Sequence, residues 1–295
     1  MKIKLQFVMN NFHRYLILAV IIGFLFFTFI YFTINKDGST KWQHVQIKAV
    51  RFSLERNLGL PIRIIHQSWK NENIPSQFIK YINSWHLHCY QNWTYRLWTD
   101  KDNLELVKTH YHWFLHKFQS FSRSIYRADV SRYIYMHHYG GIYTDLDNEC
   151  LKPFEHLLAN YSIVFGAMEG QFAGTSLREG YVQNSFFYSV PRHKFWLELL
   201  KSINSSKITG LPEFQTGPVF LSNFIRSYRA SHLNDETIKV YEPVYFNPFS
   251  WLNVHGSDEH CKDKGRMSEN DWLTCRSYMK RKGSFVVQYH AHNWQ

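Results

Sequence analysis

The 295-residue chain is long enough for one large domain with a sizeable core, and an aromatic content of 18% excludes a largely disordered body. Its formal charge of +11 is spread along the length, with one compact cluster at Lys280-Arg281-Lys282. That balance suits an anionic small molecule or anionic lipid headgroups, and equally a generally basic surface with no such partner; nucleic acid is a poor partner for a chain that reads as membrane-anchored.

Residues 1–14 form a short tail. Tyr15 to Ile34 is an uncharged run of 20 residues, enough to cross a bilayer as a helix. A cleaved signal peptide would carry a shorter apolar core and a small-residue cleavage site, whereas bulky Phe, Ile and Tyr continue to the end of this run, so an uncleaved anchor is expected. Lys2, Lys4 and Arg14 precede it and Lys36, Lys41 and Lys48 follow, which gives little guidance on orientation. Sequons at Asn92, Asn160 and Asn204 would be used only in a lumenal domain. Residues 35–60 turn polar and read as a stem, and Pro61 opens the domain 61–295.

Ile62 to Ile65 is a β-branched run, read as the first buried strand of a parallel sheet, ending in His66-Gln67-Ser68-Trp69. In open α/β sheets ligands bind at the carboxyl ends of strands; Trp69 reads equally as a ligand contact or as core. A helix is expected over Ile74 to Cys89, with Pro75 near its first turn and Phe78, Ile82 and Trp85 along one side. Trp93 to Trp98 alternates as a second strand. Asp100, just beyond it, either meets a ligand or caps the helix near Asp102, and capping is the preferred role. Leu104 to Phe121 reads as a less regular helix.

The stretch Ser122–Glu149 carries the chemistry. Ser122 is read as the N-cap of a helix in which Ile125, Ala128, Arg132, Tyr135 and Tyr139 recur at helical spacing. Gly140 and Gly141 stop it, and Ile142-Tyr143 begin a strand toward Asp145 and Asp147. In an extended chain those carboxylates leave one face together and suit a hard divalent cation. Asp129 and Arg132, three apart, share a helix face. A surface ion pair and an acidic turn would be the plainer explanation of each pair alone.

Ile163 to Ala167 reads as a strand, Asn184 as a residue preceding another, and Phe195 to Ile203 as an amphipathic helix. Thr216-Gly217-Pro218 is a turn, Val240 to Phe246 a late strand, and Phe285 to Tyr289 a last one. Cys261 and Cys275 bracket a polar loop and are the preferred disulfide of four cysteines; Cys89 and Cys150 are left over. His290 and His292 then lie two apart.

Arg127-Ala128-Asp129, Arg132-Tyr133, Gly140-Gly141-Ile142-Tyr143 and Asp145-Leu146-Asp147 resemble the sugar-nucleotide-binding region of family 32 glycosyltransferases. Scattered likeness runs from Pro61 to Trp294, specific mainly from Tyr126 to Asp147. The resemblance implies a GT-A-like, Rossmann-type mixed sheet flanked by helices behind one N-terminal transmembrane helix. It implies a type II Golgi protein with a lumenal catalytic domain that transfers a hexose with retention. The donor would be a nucleotide sugar, GDP-mannose favoured and UDP-hexose possible. The acceptor would be a membrane glycolipid or a glycan, inositol phosphoceramide being favoured by chain size and the single anchor.

By the same resemblance, Asp147 ligates Mn2+ or Mg2+, Asp145 the metal or the ribose, and His290 the metal or diphosphate. Asp129 holds sugar hydroxyls, and Arg132 the sugar or diphosphate. His66, Gln67, Trp69 and Asp100 lie beside the nucleotide, and Asn184 near the donor sugar. α-Galactosyl, N-acetylglucosaminyl and N-glycan mannosyl transfer remain open within the family. Outside it stand a non-catalytic membrane-anchored carbohydrate-binding protein and, more weakly, a metal-dependent phosphohydrolase.

Overall fold

The computed structural model describes residues 63–89, 93–168, 181–233, 235–249, 261 and 267–290. The expected tail, anchor and stem, the Asn92 sequon and His292 lie outside them. No helix among the described residues is long and apolar enough to cross a membrane. Asn160 and Asn204 are both exposed.

Eight strands are described: β1 (Ile64–Ser68), β2 (Thr94–Trp98), β3 (Gly141–Thr144), β4 (Asn148–Cys150), β5 (Ile163–Met168), β6 (Tyr181–Ser189), β7 (Ile238–Tyr241) and β8 (Val286–Gln288). Six form a mixed sheet in the order β2-β1-β3-β6-β5-β7, and β4 pairs with β8. β1 runs parallel to β2 and β3, β6 antiparallel to β3 and β5, and β7 parallel to β5. Neighbouring residues of one strand enter opposite cores, as the period of two requires: Tyr143, Phe165 and Phe187 on one side, Ile142, Val164 and Phe186 on the other. Both faces are therefore covered, and the apolar strands read as continuous runs.

Helices α1 (Ile79–Cys89), α2 (Asp100–His110), α3 (His112–Ser120), α4 (Ser124–His138), α5 (Lys194–Ser205), α6 (Pro212–Gln215), α7 (Pro218–Ser231), α8 (Pro243–Phe246) and α9 (Glu269–Lys282) surround the sheet. This agrees with the mixed sheet flanked by helices expected from the motifs. The turn from α4 into β3 depends on two glycines. Gly140 and Gly141 have φ of 66° and 91°. A Cβ on Gly141 would stand 2.3 Å from the Ile64 carbonyl oxygen, and one on Gly140 2.5 Å from the Pro191 nitrogen. Only glycine lets the helix end this close to the sheet.

Several boundaries differ from expectation. The stretch 104–121 is two helices broken at Tyr111, a buried residue whose φ of −131° is not helical. The expected strand Val240–Phe246 ends at Tyr241, because Pro243 starts α8. Asn184 lies within β6 rather than before it. The Cys261–Cys275 disulfide is present, but Cys275 lies on α9 rather than in a loop. That helix buries only Cys275 and Met279, so it shows no apolar stripe.

Candidate active site

The carboxyl ends of β1, β2 and β3 open into one cavity of about 430 Å3. Ser68 and Trp69 reach it from β1, Asp100 from β2, and Asp145 and Asp147 from β3. The first three turns of α4 add Ser124, Ala128, Asp129 and Arg132, β6 adds Asn184, and the end of β8 adds Gln288 and His290.

Arg132 holds this wall together. Its guanidinium lies 3.4 Å from Asp129 Oδ1 and 3.2 Å from Asp145 Oδ1, and donates to the Asn184 carbonyl at 2.6 Å. It also stands 4.8 Å over the Tyr143 ring, and the Tyr143 hydroxyl donates to Asp145 Oδ1 at 2.5 Å. Asp129 is fixed from two further sides. Asn184 Nδ2 donates to its Oδ1 at 3.0 Å, and Thr216 Oγ1 to its Oδ2 at 2.8 Å.

Burial pushes the Asp129 carboxyl up to about 6, against the pull of Arg132 and the hydrogen bonds from Thr216 and Asn184. Burial also raises Asp145, opposed by Arg132 and Tyr143. It works against the Arg132 charge too, but Asp145, Tyr143 and Asp129 outweigh it and hold the guanidinium above its ordinary value.

Asp145-Leu146-Asp147 is a turn rather than extended chain, closed by the Asn148 N–H on the Asp145 carbonyl at 3.1 Å. Both carboxylates reach the cavity nonetheless. The Tyr289 N–H donates to the Asp147 carbonyl at 3.1 Å, bringing His290 to the same wall. His290 itself has a φ of 51°, a left-handed conformation uncommon outside glycine.

The donor chemistry of this wall fits a divalent cation. Asp145 Oδ1 takes both of that carboxyl's hydrogen bonds, so Oδ2 accepts none among the described residues. The cavity is lined by five acids, Asp100, Asp129, Asp145, Asp147 and Glu213, against two firm cations, Lys70 and Arg132. A diphosphate entering this cavity needs extra positive charge, although the chain as a whole carries +11. Among the described residues no group of three or more His, Cys, Asp or Glu is placed to hold a metal ion. A cation on this wall would therefore have to complete its shell with substrate phosphates and water.

Not every expected site residue is on this wall. His66 is fully buried: its Nε2 bonds the Gly140 carbonyl at 2.9 Å and its Nδ1 accepts from Trp98 Nε1 at 2.9 Å. Burial pushes His66 down to about 3, so it stays neutral and supports the glycine turn. Gln67 is also fully buried; its amide donates to the Asp145 carbonyl at 3.1 Å and accepts from Tyr95 at 3.0 Å. Neither lines the cavity, and Gln67 acts on the site through the Asp145 backbone.

Trp69 lines the cavity and also packs edge-on against Phe78, ring centroids 5.6 Å apart. Asp100 is exposed on the cavity wall and is not the cap: Thr99 and Asp102 form that capping box between them. Ser122 does not cap α4 either; Arg123 holds that position with no side-chain bond, and Ser124 lines the cavity.

Sequence reasoning assigned no role to Tyr143 or Thr216, although both stood inside noted motifs. It missed Glu149 altogether. This carboxylate is fully buried beside the site, taking Arg276 Nε at 2.5 Å, Trp272 Nε1 at 3.0 Å and the Tyr289 hydroxyl at 2.7 Å. Its partners lie more than a hundred residues downstream, and nothing local signals them.

Residues 75–164 match the family described as the glycosyltransferase sugar-binding region containing the DXD motif. Mannosyl phosphorylinositol ceramide synthase SUR1 of Saccharomyces cerevisiae is 31% identical over 276 residues, covering 89% of this chain and 69% of the relative. Inositol phosphoceramide mannosyltransferase 1 of Schizosaccharomyces pombe is 33% identical over 167 residues, covering 54% of this chain and 50% of the relative. Among solved structures, a PaToxG glycosyltransferase aligns with a TM-score of 0.39 at 13% identity, over 76% of this chain and 88% of that one, a likeness too distant to bear on function.

Proposed function

The chain belongs to the glycosyltransferase family with the DXD sugar-binding region, and from that premise we propose that it transfers mannose from GDP-mannose, with retention, to a hydroxyl of an inositol phosphoceramide. Glycosyl transfer is the family's activity; the sugar and acceptor are proposals drawn from the relatives' names, and the nucleotide is a proposal from the motif resemblance. The observation that carries the assignment is the convergence of Asp129, Arg132, Asp145, Asp147 and Asn184 on one cavity, four of the five lying within the matched region.

In this reading Asp129 receives sugar hydroxyls, and Arg132 orients the sugar or diphosphate while keeping the two aspartates in place. Asp147 and Asp145 Oδ2 would hold manganese or magnesium together with the donor's phosphates, with His290, the expected third ligand, lining the same cavity. The ion would supply a Lewis acid for charge developing on the leaving diphosphate. Trp69 and Asp100 contact the nucleotide, and Asn184 contacts the sugar while fixing Asp129.

Both Asp129 oxygens accept hydrogen bonds, which suits a positioning role rather than attack on the anomeric carbon. In this reading the bond from the anomeric carbon to the phosphate oxygen breaks as the acceptor oxygen bonds on the same face, and the departing phosphate oxygen takes the acceptor proton. The same reading places residues 1–14 in the cytosol, 15–34 across the Golgi membrane, 35–60 as a stem and 61–295 in the lumen.

The test offers the full chain in detergent a panel of GDP and UDP sugars with phosphoinositol sphingolipid or glycan acceptors. Mannosylated lipid with the donor's anomeric configuration is expected. Tight nucleotide-sugar binding without turnover on any acceptor would favour a carbohydrate-binding protein, and no nucleotide binding by folded chain would overturn the reading.

A further inference from the structure

Beside the cavity lining the chain carries an exposed apolar pair. Leu211 and Phe214 are 62% and 40% exposed, and between them Pro212 and Glu213 wall the cavity. Positions three apart on a helical turn share a face. The segment 206–215 that presents them is pinned. The Tyr126 hydroxyl donates to the Gly210 carbonyl at 2.6 Å, the Lys117 ammonium donates to the Ser206 carbonyl, and the Thr209 N–H donates to Gln215 Oε1 at 3.4 Å.

Exposed cations lie on this segment and beside the cavity lining, which also carries exposed Asp100. Lys207 is exposed in the same segment, and exposed Arg123 adjoins cavity-lining Ser124. Glu213 is the segment's single acid, half-buried and turned to the cavity wall. An exposed apolar pair beside lysine and arginine fits an interface of acyl chains below and anionic headgroups above. A water-soluble glycan gains nothing from an exposed leucine.

We propose that segment 206–215 docks on the bilayer that carries the acceptor, with Leu211 and Phe214 among the upper acyl chains and Lys207 and Arg123 at the headgroup phosphates. The inference rests on the lipid-acceptor reading, because a lipid-borne hydroxyl reaches the cavity only when its mouth touches the membrane. Docking here presents that hydroxyl beside Pro212 and Gly217, which line the cavity.

The test uses the full chain in nanodiscs of phosphatidylcholine and phosphatidylinositol, with a photoreactive benzoylphenylalanine in place of Phe214 or, as control, of Leu233. Leu233 is 84% exposed beyond the far end of α7, whose first residue lines the cavity and whose 14 residues span roughly 20 Å. Light-driven coupling to lipid from position 214 but not 233 is expected, whether or not the acceptor has been identified. No lipid coupling from 214, or coupling to protein instead, overturns the proposal.

Kinetics separates it from the parent reading. The double variant Leu211→Ser, Phe214→Ser should lose about tenfold or more in transfer to acceptor lipid in the nanodisc. Its transfer to water-soluble glycerophosphoinositol should match wild type, as should Leu233→Ser on either acceptor. Equal losses on both acceptors would make the pair a support of the cavity and overturn docking. Lipid coupling without transfer to any phosphoinositol acceptor would overturn the acceptor assignment and leave the docking surface standing.

Discussion

Two buried carboxylate clusters stand side by side in this domain and differ in how far their charge is answered. Glu149 has a full complement of donors: Arg276 on one oxygen, Trp272 and Tyr289 on the other. Nothing is left over, and the residue does not line the cavity. Asp129 and Asp145 instead share Arg132, with Asp147 beside them on the same wall. In that cluster one guanidinium serves two carboxylates, and Asp145 Oδ2 accepts no hydrogen bond among the described residues. A saturated buried carboxylate joins elements together; an undersaturated group facing a cavity awaits a ligand.

The largest break should come from Arg132→Met. Removing the shared guanidinium leaves the buried Asp129 carboxylate without its cation, while Asp145, whose side chain is 27% exposed, is partly re-solvated; a loss of about 3 kcal/mol in unfolding free energy is expected, with transfer abolished. Calorimetry and product assays read both; unchanged stability would show that the aspartates are held by something other than Arg132. Asp147→Asn should separate the two properties. This half-buried residue gives up a proposed cation ligand, so turnover should fall about 10²–10³-fold while the melting temperature barely moves.

Glu149→Gln is the mirror case. The Arg276 side chain is 23% exposed and water can partly re-solvate it, so the cost should be about 1–3 kcal/mol, below that of Arg132→Met. Activity per folded molecule should stay within a few-fold of wild type. A large drop in turnover with little loss of stability would make Glu149 part of the site.

The smallest effect is in pH. Asp129 is raised to about 6 in the fold. A carboxyl raised above its unfolded value adds stability that is fully present below the unfolded pKa, about 4, and is lost as pH climbs through about 6. Activity runs the other way, because the ionised group receives the sugar hydroxyls: transfer should decline below pH about 6. Asp129→Asn should be nearly inactive, and its stability should lose the slope between those values. An acid limb that stays near 4 would contradict the burial seen here.

Much of the sheet and the heart of the site was legible in the sequence, for physical reasons. β5 is a buried apolar run and β1 opens on two buried isoleucines, and the two glycines are demanded by backbone approaches of 2.3 and 2.5 Å. Arg132 and Asp129 are three apart on one helix, so local periodicity alone joins them. What stayed hidden depends on contacts distant in the chain. His66 looked like a ligand contact because it ends a strand, yet Gly140 and Trp98 occupy both its nitrogens. Asp100 looked like a cap until Thr99 and Asp102 filled that role. Helix α9 was misread as loop because its polar surface masks the period, although Ser268 as N-cap and left-handed Gly283 at its end are regular terminal signals.

The most direct test of the central contrast is a manganese titration of the full chain with GDP-mannose, following the free ion by electron paramagnetic resonance. Wild type and Glu149→Gln should take up the ion, and Asp147→Asn should not. Equal uptake by wild type and Asp147→Asn, with both folded, would contradict the claim that the undersaturated cluster is the cation site.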